Sequence, residues 1–242
     1  MLINSYRFGI PWTPLQITTA LWLDAADAAT VTTVSGAVSQ WNDKSGNARH
    51  ATQGTAGNRP SYSNNTITFD GVNDFLALAS AYGSTSQLAL SFFAVSAAPG
   101  NFMILGTADV TNWTFRGAVI QIRLGNGVSN NVANWNITSS SSSIVSAVHS
   151  STTFSTWANG TATTGSTLAN GAINYGGTQY LARGDGGAGT TVYNGSINEI
   201  VITSSALSTA DRQQMEGYLA HKWNLNANLP SGHPYRSIAP TI

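Results

Sequence analysis

Ile67-Thr68-Phe69-Asp70-Gly71-Val72-Asn73-Asp74-Phe75 decides how this chain is read. Apolar and polar residues alternate up to Phe69, the period of a strand with one buried face. Asp70-Gly71 then supplies turn chemistry, and an apolar run resumes at Phe75. The same punctuation recurs on both sides, with Asn-Gly at Asn126, Asn159, Asn170 and Asn194 and Asp-Gly again at Asp185. These dipeptides tolerate the positive φ that type I′ hairpins require. Strands are expected at 20–24, 37–41, 66–69, 75–78, 88–96, 102–106, 118–124, 131–137, 144–149, 154–158, 179–183 and 196–203. About a dozen strands with no helix between them predict an all-β sandwich of two antiparallel sheets. The serine run 139–143 and the glycine-rich stretch 184–189 are expected to be flexible surface loops.

Composition agrees. Of 242 residues, 8% are charged, ten basic against ten acidic, which leaves no electrostatic footprint for nucleic acid or an anionic membrane. Ser, Thr and Asn supply about a third of the chain and 24 glycines are added, a β-and-turn composition. Seven Trp, eight Tyr and eight Phe are enough to build a core. With no cysteine, disulfides and thiolate metal sites are excluded. The opening residues show no basic and apolar leader, and no stretch is apolar for the ~18 residues of a membrane span, so a protein made soluble without export is expected.

Residues 208–223 break the pattern. Ser208 is placed to cap, Asp211 follows three residues on, and Met215, Tyr218, Leu219 and Trp223 recur at helical spacing. One amphipathic helix is predicted there, docked on its own sandwich, followed by an irregular tail punctuated by Pro230 and Pro234. Residues 1–18 form a comparable arm, since Pro11 and Pro14 exclude helix and central strand. The expected organisation is an arm at 1–18, a sandwich at 19–207, and a helix with tail at 208–242.

Four segments resemble LamG-like, concanavalin A-like jelly-roll modules. They are Leu21-Trp22-Leu23-Asp24-Ala25 with Trp41-Asn42-Asp43-Lys44-Ser45-Gly46-Asn47, the 67–75 hairpin, Trp157-Ala158-Asn159-Gly160-Thr161, and Tyr193-Asn194-Gly195-Ser196-Ile197-Asn198-Glu199-Ile200-Val201-Ile202 leading to Ala206-Leu207-Ser208. The C-terminal stretch from Gln213 to Tyr235 resembles the tail that accompanies such modules in tailed-phage virion proteins. The resemblance implies a concanavalin A-like jelly-roll β-sandwich of two antiparallel sheets with one C-terminal α-helix. It also implies a virion surface protein, a head decoration or tail-associated component assembled in the host cytoplasm. Its expected partners are capsid or tail structural proteins, further copies of itself, and a cell-surface glycan.

Catalysis finds little support in the residues. Glycoside hydrolysis needs two carboxyls roughly 5–9.5 Å apart across a sugar. The two glutamates, Glu199 and Glu216, fall on a strand and on the helix, and no serine sits in a nucleophile elbow. A non-enzymatic role is expected, with Glu199 paired to Arg or bonded to backbone amides. His50, His149, His221 and His233 show no metal-ligand spacing and are read as packing residues. No cofactor is required. Calcium is the one ion with candidate ligands, Asp43 with Asn47 and Asn73 with Asp74, although turns bonding their own backbone are the preferred reading. Carbohydrate would stack on aromatic faces, and Trp113, Trp135, Tyr175 and Tyr180 lie in loops or at strand ends. Trp22, Trp41, Phe69, Phe92, Trp157 and Trp223 are assigned to the core. A virion surface protein is the leading expectation. A glycan-binding lectin module is the alternative, and a glycosidase the third.

Overall fold

The computed structural model describes residues 9–84, 86–98, 105–107, 114–116, 120–124, 131–135, 139–163, 166–167, 171–172, 176–186 and 189–242. The first strands in chain order are β1 (Thr19–Asp24), β2 (Val31–Val34), β3 (Ala37–Trp41), β4 (Ala51–Thr52), β5 (Ser61–Ser63), β6 (Thr66–Asp70) and β7 (Leu76–Leu78). Next come β8 (Ala89–Ala98), β9 (Leu105–Thr107), β10 (Thr114–Arg116), β11 (Ile120–Leu124), β12 (Asn131–Trp135), β13 (Ser139–Ser150) and β14 (Thr153–Ala158). The last are β15 (Thr161–Ala162), β16 (Ser166–Thr167), β17 (Gln179–Leu181), β18 (Arg183–Gly186), β19 (Gly189–Val192) and β20 (Asn194–Thr203), before helix α1 (Thr209–Lys222).

Every strand pairing is antiparallel, and the strands form two layers. The first layer centres on β20, flanked on one side by β1 and β6 and on the other by β8, then β13 and β14. The second runs β2, β3, β4, β7, β17, β9, β10, β11, β12. Among the described residues a single pairing, Ala37 with Ser61, joins the layers at one edge. The stretch Phe69 to Phe75 is the crossing point, because β6 belongs to the first layer and β7 to the second. Gly71 turns there with φ 76°, and Asp70 Oδ1 accepts from the amides of Val72, Asn73 and Asp74.

Alternation sorts the first layer's side chains into two faces. Leu21, Ile202, Phe92 and Ala147 register across it, as do Leu23, Ile200, Ala94 and Val145, and all pack inward with Trp41, Leu76, Leu78, Leu105 and Leu181 of the second layer. The intervening residues Trp22, Val201, Phe93, Val95 and Ile144 face the other way and form a second core with Trp12, Met215, Leu219, Ala220 and Leu229. Fully burying one such side chain contributes about 1.5–3 kcal/mol, so this second core binds helix, arm and tail firmly to the sandwich. The helix begins as expected, with the Ser208 side chain accepting from Asp211 N. Arg212 stacks on Trp157 of β14, Glu216 meets Ser146 of β13, and Lys222 reaches Glu199 of β20. From Glu216 to Lys222 a helix rises ~9 Å, close to the ~9.6 Å of the two inter-strand steps from β13 to β20. The helix therefore crosses the strands.

Several expectations are corrected. The serine run 139–143 is the first part of β13, its pairing with β8 shifting register between Ser139 and Ser143. Within the 184–189 stretch, residues 184–186 lie in β18 and residue 189 opens β19, the two strands pairing antiparallel, while 187 and 188 lie outside the described residues. Asn194-Gly195 lies within β20, with Gly195 opposite Phe69. Asn159-Gly160 does turn, with φ 47° and 75°, but so do Ser35-Gly36 and Asn64-Asn65, whose paired positive φ values carry two hairpins that Asn-Gly and Asp-Gly do not mark. Pro14 opens a short 3-10 turn, Pro14–Gln16, where its missing N–H costs nothing. Among the described residues no helix is long and apolar enough to cross a membrane.

Candidate functional site

The helix covers the outer face of the first layer, so the outer face of the second is where a ligand can approach the sheets. In that layer Gln40, Thr52, Ala77 and Tyr180 register side by side on β3, β4, β7 and β17, each half-buried. Their chain neighbours Trp41, Ala51, Leu76, Leu78 and Leu181 point into the core, which turns this row outward. The register continues from Tyr180 through Gly106 and Thr114 to Arg123 and Val132. Tyr180 thus stands between Ala77 and Gly106, two small neighbours that leave room beside its ring.

Phe75, two residues before Ala77, meets Tyr180 edge-on, with ring centroids 5.6 Å apart and planes at 86°. The Arg183 guanidinium lies over both rings, 4.5 Å from the Phe75 centroid and 5.4 Å from that of Tyr180. Ala182, with φ 67°, separates β17 from β18 and re-aims the chain at Arg183. An aromatic pair beside a planar cation presents apolar ring surface of the kind that holds a sugar's C–H face.

Of the four aromatic residues singled out from sequence, Tyr180 is in this cluster. Trp135 pairs with Ile120 at the end of β12, and its side chain lies outside what the structure describes. Trp113 and Tyr175 lie outside the described residues. Phe75 and Arg183 were missed. Alternation around Leu76 and Leu78 could have placed Phe75 with Ala77, whereas the turn at Ala182 that presents Arg183 has no local signature.

The residues considered for calcium are engaged in loop architecture. Buried Asp43 accepts from Trp22 N and Ser45 N on Oδ1, and from Ser45 Oγ and Arg49 N on Oδ2. Asn47 Nδ2 donates to the carbonyls of Thr19 and Ala20 and to Ser45 Oγ, so Asp43 and Asn47 share one loop pinned to β1. Asn73 contributes its amide to Asp70, and Asp74 Oδ2 accepts from Asp70 N. Burial, with Asp70's charge adding to it, lifts the Asp74 carboxyl above its ordinary value. Among the described residues no three His, Cys, Asp or Glu side chains gather into a metal-holding group.

Both glutamates are fully buried, Glu199 beneath the helix and Glu216 on the helix's own inward side. Glu199 Oε1 accepts from Trp22 Nε1 at 2.7 Å and Tyr218 OH at 2.9 Å; Oε2 accepts from Trp223 Nε1 at 2.6 Å and Lys222 Nζ at 2.8 Å. Ring donors and a lysine thus replace the arginine or backbone amides expected of it. Burial pushes this carboxyl above its usual range, and Lys222 pulls it back. Glu216 is held by Arg212, by the Ser146 hydroxyl at 2.5 Å and by His233 Nε2 at 3.3 Å. Four donors on Glu199 leave its lone pairs no room for a substrate.

No family model matches the chain, and no curated protein matches it. Among solved structures it is similar to Trypanosoma rangeli sialidase, with TM-score 0.54 and 14% identity over 84% of this chain and 32% of that one. It is also similar to a structure of botulinum neurotoxin type C, a toxin whose cell entry depends on interaction with two ganglioside molecules, with TM-score 0.53 and 13% identity over 84% of this chain and 51% of that one. The binding domain of botulinum neurotoxin DC, solved with rat synaptotagmin II, gives TM-score 0.55 and 12% identity over 80% and 50%. These likenesses establish a β-sandwich fold. The chain spans between 32% and 51% of the length of these structures.

Proposed function

We propose that this chain is a glycan-binding, lectin-like module whose site is the outer face of the second sheet around Tyr180. The observation that carries the reading is the Phe75–Tyr180–Arg183 cluster on a sheet face opposite the one sealed by the helix. The ganglioside interaction of one structural neighbour, botulinum neurotoxin type C, supports the same ligand class. Bond-making is not part of the proposal, because Glu199 and Glu216 sit on the far side of the sandwich from Tyr180 and are spent on the helix. Nor is calcium, since Asp43 and Asp74 accept from loop amides.

The finer setting we propose is a virus particle, as the resemblance of the terminal segments implies. The arm and tail support it: Pro11 pairs with Thr241, and Trp12 packs edge-on against Tyr218 on the helix side. Mounting through that side, on capsid or tail subunits, leaves Tyr180 facing outward.

A glycan array with and without calcium tests the main reading. Binding in both conditions is expected, with Tyr180→Ala weakening it about tenfold or more through loss of one stacking contact. An array without hits, or undiminished binding by a folded Tyr180→Ala variant, overturns it. Co-sedimentation of the purified chain with particles tests the setting.

A further inference from the structure

Gln40 and Asn42 form an amide pair at the other end of the Tyr180 row. Gln40 Nε2 donates to Asn42 Oδ1 at 2.6 Å, and both residues are half-buried. That single bond uses the donor group of one amide and the acceptor of the other. Among the described residues no protein group bonds the Gln40 oxygen or the Asn42 NH₂. One acceptor and one donor therefore stand side by side on the outer face. Turning both amides over leaves the same pair outward, so the conclusion does not depend on how oxygen and nitrogen are assigned. Adjacent hydroxyls of a sugar present the complement, one as donor and its neighbour as acceptor.

Thr52 and Ala77 lie between this pair and Tyr180, and both are short. The three inter-strand steps from β3 to β17 make about 14 Å, the length of roughly three pyranose units. An aromatic platform at one end, a low floor, and an amide fork at the other describe an elongated site running across the strands.

We infer that the ligand is a linear oligosaccharide of at least about three units, with one ring on Tyr180 and a vicinal diol on Gln40 and Asn42. The inference rests on the glycan-binding reading and adds ligand length, direction and a second subsite. Apolar stacking supplies affinity for any ring, while the fork rewards chains long enough to reach it.

Calorimetric titration with malto-, cello- and chito-oligosaccharide ladders, monosaccharide upward, tests it. In at least one series affinity should climb about tenfold as the chain lengthens to roughly three units and then level off. The double variant Gln40→Ala/Asn42→Ala should abolish that climb and leave short-ligand affinity intact, whereas Tyr180→Ala should weaken every member. Affinity independent of length, or a climb that survives the double variant, overturns the inference. Array binding with no ladder member bound also overturns it while leaving the broader reading standing, and an empty array removes both.

Discussion

Lys222 Nζ lies 2.8 Å from Glu199 Oε2 and 2.7 Å from Asp24 Oδ1, so the last turn of the helix is tied at once to β20 and β1. Asp24 in turn meets Lys44 at 2.9 Å, and Lys44 meets Asp27 at 2.8 Å. The chain's two lysines thus alternate with three carboxylates in one line of five charges. Removing a partner strands a buried charge. Lys222→Met is expected to cost about 2–4 kcal/mol in urea unfolding, and in a Glu199→Met background, itself destabilised because Trp22, Tyr218 and Trp223 lose their acceptor, the same change should cost much less, because no uncompensated Glu199 charge is left behind. Additive losses would mean the two groups are not coupled.

Gly217 makes the tail's path over the helix achievable. A Cβ there would lie 2.4 Å from Tyr235 Cβ and 2.7 Å from its Cγ. Gly217→Ala should therefore destabilise by about 1–3 kcal/mol, although alanine is the better helix former by ~1 kcal/mol. In a Tyr235→Gly background, which removes that Cβ as well as the ring, the same change should become neutral or stabilising, read as a shift in unfolding midpoint.

Ser208 holds the helix's first turn through Asp211 N at 3.2 Å, and Asp211 returns the contact by accepting from Ser208 Oγ at 2.7 Å. Ser208→Ala should cost about 1 kcal/mol and Ser208→Thr very little, because threonine keeps a hydroxyl that can cap Asp211 N and donate to its carboxylate, measured by thermal unfolding.

His149 is buried with Nε2 facing the carbonyls of Gly171 and Ser151 at 2.8 and 3.0 Å, so that nitrogen carries a proton and donates. Burial depresses its basicity below the ordinary 6.5, the two carbonyls opposing the shift in part. The unfolded chain then binds a proton at a pH where the folded one does not. Stability from this group is complete above about pH 6.5 and is lost as pH falls from there toward the depressed value. Denaturation between about pH 7 and pH 5 should show that slope, and His149→Gln should flatten it.

Ala77 stands beside Tyr180 on the outer face, half-buried, with Leu76 and Leu78 turned inward. Ala77→Trp should fill the space next to the ring and lower glycan affinity by about tenfold while changing stability by less than about 1 kcal/mol. Unchanged affinity would place the ligand elsewhere.

Much of this architecture was legible because its causes are local. A period of two around Phe69, Leu76 and Ile200 marks which side chains go inward, and Ser208 with Asp211 marks the start of the helix, since each signal involves residues within a few positions of one another. Ser139–Ser143 was misread for the complementary reason. A serine run has weak strand preference of its own, and its pairing is imposed by β8, more than forty residues earlier.

Local pattern along the chain set the two-layered β architecture, the capped helix and the stripe of Met215, Tyr218 and Leu219 that docks it. Tertiary structure alone decided that Glu199 would be surrounded by Trp22, Tyr218, Lys222 and Trp223, and that Tyr180 would share a face with Phe75, Arg183, Gln40 and Asn42. Those groups meet only after strands far apart in the chain take up a common register, and no periodicity within a strand specifies which distant residue will stand opposite it.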